Sequence, residues 1–335
     1  GVLQAEGTEV SPIIFDDANA EDDVQWRGLA LYDQMEASIL EYVRISNAHK
    51  YAGGGISLRN SSPTINHLTL SNNSAAIVGG GMLIAGGDDI LLSNLNIHDN
   101  IAGASDAFGG GGGLWVEYTL DLKIENSKII NNETLVQQAG GVMIKNSGYP
   151  SLRYVEITGN KSPMGGGLVF DSNLGANLIN TTISANEALV GSGIYVLESS
   201  ESKIVNTIIQ DNQPPSASPI SLSHEQEEAV IINHSNIESG CIDLPGPDGE
   251  VWSDGYNGCE WWGEFGNNDV STPGDNFYDP DYGFSDNCYA WQDSTFTNGN
   301  PSDYCCVCGG GEPIGSGWYN ETNGNIDNDP LFVQS

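Results

Sequence analysis

Gly165-Gly166-Gly167-Leu168-Val169-Phe170-Asp171, followed by Leu178 and then Ile183-Ser184-Ala185-Asn186, is the stretch that decides how the chain folds. The glycine cluster permits a tight corner. Leu168 and Phe170 alternate with Val169 and Asp171, the period of a strand with one face in a core. Asn186 suits a second corner, because asparagine tolerates left-handed backbone better than most residues. The same cassette recurs on both sides, at Gly53-Gly54-Gly55-Ile56, Gly79-Gly80-Gly81-Met82, Gly111-Gly112-Gly113-Leu114, Gly140-Gly141-Val142 and Gly191-Ser192-Gly193-Ile194. The last glycine advances by 26, 32, 28, 26 and 26 residues. An apolar-x-x-Asn signature keeps step at Ile97…Asn100, Ile129…Asn132, Ile157…Asn160, Ile183…Asn186 and Ile209…Asn212, with less regular copies at Ile45…Asn47 and Leu70…Asn72-Asn73. The longer intervals read as insertions, such as 102–108, that leave the flanking pattern intact.

A repeat this short cannot bury its apolar face alone, so copies must stack. Each supplies at least two short strands and no helical stripe, which predicts an all-β solenoid of parallel strands, one per wall per turn. Side chains at equivalent positions then form columns: Leu114, Val142 and Leu168 in one, and Asn100, Asn132, Asn160, Asn186 and Asn212 in another, amides bonded up the stack. Asn94, Asn126, Asn180 and Asn206 form a second asparagine file. Asn132 and Asn160 also sit in N-x-[ST] sequons, where ladder chemistry is the expected use.

Composition narrows the function. Of 335 residues 39% are hydrophobic, and 10 Lys+Arg face 45 Asp+Glu for a formal charge of −35. No basic patch can neutralise phosphates, which excludes nucleic acid. No run of about 18 apolar residues predicts membrane insertion. Every Lys and Arg lies between Arg27 and Lys203, whereas all six cysteines fall between residues 241 and 308. The chain therefore divides into 1–240, a repeat region; 241–317, an acidic Cys-rich module; and 318–335, a closing segment. The opening at Gly1 without a charged-then-apolar leader predicts a processed or trimmed start.

The glycine-apolar and apolar-x-x-Asn repeats, preceded by Glu6-Gly7-Thr8…Ser11-Pro12-Ile13-Ile14-Phe15 and Trp26-Arg27-Gly28-Leu29, resemble secreted right-handed parallel β-helix proteins of the pectate-lyase superfold. They are similar, too, to the repeats of polymorphic outer-membrane adhesins. Gly324-Asn325-Ile326-Asp327-Asn328-Asp329-Pro330-Leu331-Phe332 resembles the closing coils of that group. The resemblance implies a single-stranded right-handed parallel β-helix of about nine coils, in a secreted or cell-surface protein. It does not imply one activity, since the fold hosts lyases, hydrolases and adhesins alike.

With Ile56 and Leu58 inward, the outward file runs Ser57, Leu83, Trp115, Met143, Val169 and Tyr195. A contiguous apolar file marks a partner surface, unless an insertion or the Cys-rich module folds over it. The adjacent outward file holds Glu117, Lys145 and Asp171. Lyases of the superfold use acidic ligands beside a basic residue and its hydrolases use grouped aspartates, so these three are the candidate catalytic residues. Their other reading is cross-strand charge pairing.

In the module, Cys241, Cys259, Cys288, Cys305, Cys306 and Cys308 make an even set, which predicts a disulfide framework with fifteen open pairings. A zinc site at Cys305, Cys306 and Cys308 is the rival reading. Asp254, Glu260, Asp275, Asp279, Asp281 and Asp286, in Gly- and Asn-rich surroundings without Lys or Arg, are hard oxygen ligands of the kind Ca²⁺ selects. The rival is a solvated acidic surface. Taken together, these features predict an extracellular structural or adhesive subunit, self-associating laterally through the outward apolar file or head-to-tail through solenoid ends, or contacting a cell-surface or glycan partner. The competing predictions are a polysaccharide lyase or hydrolase and a glycan-binding β-helix.

Overall fold

In the computed structural model the described residues are 1–17, 26–33, 38–103, 109–197, 202–214, 217–222 and 230–237, with the backbone of 241–242 and 312–313. They form a parallel solenoid with three walls. The flat wall follows the glycine clusters and stacks eight strands: Leu29–Tyr32, Ile56–Arg59, Met82–Ala85, Leu114–Glu117, Val142–Lys145, Leu168–Asp171, Ile194–Leu197 and Ile220–Leu222. The long wall is a 14-stranded sheet whose longest members are Ile39–Ser46, Thr64–Ser71, Lys123–Ile130 and Ser151–Thr158. The short wall stacks His49–Ala52, Ser74–Val78, Ile101–Ala102 and Glu133–Thr134. Single parallel bridges continue it from Glu133 to Lys161, Glu187 and Gln213.

The expected columns are present. Leu114 pairs with Val142 and Val142 with Leu168, all fully buried. Eight flat-wall strands delimit seven turns, fewer than the nine coils expected. The difference lies at the C-terminus, because the anticipated closing coils fall outside the described residues. The insertion at 102–108 leaves its flanks in register: Ile101 pairs with Glu133, and Val78 with Gly110 and Gly110 with Gln138.

Two files of left-handed residues shape each turn. Tyr42, His67, Asn94, Asn126, Tyr154, Asn180, Asn206 and His234 all have φ between 49° and 55°, and they bend the long wall at its middle. Asn47, Asn72, Asp99, Asn131, Gly159, Ala185 and Asp211 make the next corner. Immediately after it comes the buried asparagine ladder. Asn73, Asn100, Asn132, Asn160 and Asn186 each donate Nδ2 to the Oδ1 of the next asparagine, 2.9–3.1 Å away, ending at Asn212. The same Oδ1 atoms accept the backbone N–H of the residue below. The irregular early copies are thereby resolved: Asn73, not Asn72, is the ladder member. One coil earlier Ala48 takes the place, its N–H donating to Asn73 Oδ1 at 3.0 Å.

The glycine clusters are needed for close approach. A Cβ on Gly54 would lie 2.2 Å from Gly80 O, and one on Gly80 would lie 2.3 Å from Gly112 O. Neither contact has room for a side chain. At one cluster the leading residue is Ala139, which holds φ 62° while its Cβ joins a buried apolar group.

Candidate functional site

The outward apolar file is not exposed. Leu83, Met143, Val169 and Tyr195 are 0–2% accessible, and Trp115 is half-buried. Three connections from the short wall to the next glycine cluster fold back across this file. Ala139, Met164, Leu189 and Val190 from those segments pack with Trp115, Met143, Val169, Tyr195 and Leu197 into a second core outside the solenoid. Expecting Leu83, Trp115, Met143, Val169 and Tyr195 to form a docking face is therefore corrected. Alternation places a side chain away from the inner core, but it does not show which part of the chain covers it. For Met143, Val169 and Tyr195 the cover comes from these connections.

Glu117, Lys145 and Asp171 do meet, as register neighbours on three consecutive flat-wall strands. Lys145 Nζ lies 2.5 Å from Asp171 Oδ2, and the Asp171 side chain is 12% exposed. Ser172 Oγ donates to the other carboxylate oxygen at 2.7 Å. Lys145 and Asp171 thus form a cross-strand charge pair, with Asp171 held from two sides.

Cys241 begins a two-residue strand whose backbone pairs antiparallel with Glu312–Pro313. Its side chain, the other five cysteines and the six proposed Ca²⁺ ligands from Asp254 to Asp286 lie outside the described residues. Among the described residues no group of three His, Cys, Asp or Glu side chains is placed to hold a metal ion. No helix among them is long and apolar enough to cross a membrane.

Two surface features escaped the sequence reading. The first is an apolar corner between the flat and long walls. Tyr118, Leu120, Tyr149 and Leu174 are each 57–63% exposed on three successive coils. Tyr149 N donates to Leu120 O and Leu174 N to Ser147 O, both at 3.1 Å, which stacks them. The signal in the sequence was an apolar or aromatic residue shortly after three consecutive flat-wall strands, Leu114–Glu117, Val142–Lys145 and Leu168–Asp171. The second is a group of cations around Tyr32 in the first two flat-wall strands.

Three parallel walls, in-register columns and a buried amide ladder define the class: a single-stranded parallel β-helix. The model of the family described as right handed beta helix region matches residues 15–161 and 130–273, and the chain belongs to that family. Neither curated proteins nor solved structures yield a match.

Proposed function

We propose that the protein is an extracellular structural or adhesive β-helix that self-associates laterally. The observation carrying this reading is the Tyr118, Leu120, Tyr149 and Leu174 corner, which holds large apolar side chains in water on consecutive rungs. The scaffold beneath supports such a role. Buried ladders and close-packed glycines keep the rungs in fixed register, so a contact made once is repeated at rung spacing, about 4.8 Å. A net charge of −35 opposes contact between copies, so association strengthens as salt screens it. Sedimentation velocity at tens of micromolar, from low to high salt, tests the reading. Salt-promoted association that is lost in Leu120→Asp/Tyr149→Asp supports it. A chain that stays monomeric at every salt concentration, or a double variant that associates like the parent, refutes it. Association that survives in the variant points instead to head-to-tail contact through the solenoid ends. The competing reading, a polysaccharide lyase or hydrolase, rests on Glu117, Lys145 and Asp171; turnover of acidic glycans that disappears in Lys145→Ala would favour it.

A further inference from the structure

In a chain with 10 cations and 45 acids, two of the cations lie over one ring. Tyr32 and Arg59 are register neighbours on the flat wall's first two strands. The Arg59 guanidinium carbon lies 5.6 Å from the Tyr32 ring centre, and Lys50 Nζ lies 5.8 Å from it. Lys50 reaches across from the short wall, donating to Ser57 Oγ at 3.1 Å and Leu29 O at 3.4 Å. Ser57 Oγ in turn donates to Ala52 O at 2.8 Å, so its proton is committed and its lone pair orients the ammonium. Arg27, just ahead of Leu29 in the chain, is exposed, as is Arg59.

This coil departs from those above it. In register, Lys50 stands where the next coil has Ala75, and Ser57 where it has Leu83. An ammonium and a hydroxyl thus stand where the next coil has two buried apolar residues. Burial pushes the Lys50 ammonium below the ordinary lysine range; Tyr32 opposes this, while Arg27 and Arg59 add to it. Among the described residues the ion pairs use His98, Lys128, Lys145 and Lys161, and none of these three cations. Asp33, next to Tyr32, accepts from Asn60 Nδ2 at 2.8 Å. Like charges gathered at a half-buried position, with no ion-paired carboxylate among the described residues, raise one another's energy. A bound anion relieves that cost, and an Arg–Lys–Arg set suits the multiple acceptor oxygens of a doubly charged oxyanion.

We propose that Lys50 and Arg59, grouped around Tyr32 with Ser57 orienting the lysine and Arg27 adding its charge, hold an oxyanion: a sulfate or phosphate group, free or borne by a small ligand. The full chain is titrated calorimetrically with sodium sulfate and with sodium phosphate, sodium chloride being adjusted to keep ionic strength constant. Saturable binding is expected, weakened about tenfold in Arg59→Gln and in Arg27→Gln, the loss of one charge-assisted contact. Both arginines are exposed, so these variants keep the fold; Lys50→Met should weaken binding further. Glucose 6-sulfate and glucose 6-phosphate then distinguish the sources. Tighter binding of one ester than of its inorganic anion assigns a ligand-borne group, and equal binding assigns the free anion. No saturable heat from either anion overturns the proposal, as does saturable binding that Arg59→Gln and Arg27→Gln leave unchanged.

Discussion

Replacing Asn160 by Ala should cost several kcal/mol although the side chain never meets solvent or ligand. Asn160 is fully buried at the middle of the ladder. Its Nδ2 donates to Ile129 O at 2.9 Å and to Asn186 Oδ1 at 3.0 Å. Its Oδ1 accepts from Asn132 N at 2.9 Å and Asn132 Nδ2 at 3.0 Å. Truncation removes all four bonds but does not orphan all four partners. Asn186 Oδ1 keeps the Asn160 N–H at 3.0 Å, and Asn132 Nδ2 keeps Ile97 O at 2.9 Å. The Ile129 carbonyl keeps its sheet partner on the strand Ser151–Thr158, whereas the Asn132 N–H loses the partner that served it inside the core. At about 1–3 kcal/mol for that buried orphan, and about 1 kcal/mol for the bonds lost around it, the loss is roughly 2–4 kcal/mol. Urea denaturation gives the total, and amide exchange locates it: protection of the Asn132 N–H should fall most. Asn131→Ala is the comparison, since Asn131 is exposed and holds a left-handed corner at φ 53°; about 1 kcal/mol is expected there. If Asn160→Ala stays within about 0.5 kcal/mol of the parent, or loses less than Asn131→Ala, the ladder does not stabilise the fold as argued.

Ala185 is exposed at φ 54°, in a corner file otherwise made of Asn, Asp and Gly; Ala185→Gly should stabilise by about 0.5–1 kcal/mol, read as a higher denaturation midpoint. Tyr195 is 1% exposed in the outer core, so Tyr195→Ala should cost about 3–5 kcal/mol, whereas a file lying open to water would lose far less. Lys50 has a depressed folded-state pKa, caused first by burial. Across the interval between that depressed value and the ordinary one the unfolded chain binds more protons, so stability rises with pH there and stays lower beneath it. Denaturation at several pH values between about 8 and 11 should show that rise in the parent and not in Lys50→Met.

The inner solenoid was legible because two constraints act on the same residues. Ile56 and Leu58 must alternate to face a core, and Gly53 to Gly55 must turn the chain before them, so spacing alone reveals both. The ladder was legible for a similar reason: Asn132 and Asn160 recur at the coil period, and full burial shows why their sequons are structural. The outer core was not. Val169 and Tyr195 look like surface residues to any rule that counts period two, because their covering partners, Met164, Leu189 and Val190, precede the next glycine cluster in irregular backbone. The cue was that apolar residues stand ahead of those clusters as well as after them. The cations around Tyr32 were hidden because a turn brings Lys50 and Arg59 together. Ser57 was the visible trace, a hydroxyl where five later coils carry apolar side chains.

Seams such as Gly54 over Gly80 bring backbone against backbone with no space for a methyl group. Each seam contact joins a coil only to its immediate neighbour, so removing or duplicating a whole turn preserves every kind of contact that remains. A single residue gained within a seam would break two at once. Molecules of this design can thus change length in whole-coil steps while their pitch stays constant, and the flanks of added sequence can keep their register, as those of the 102–108 insertion do.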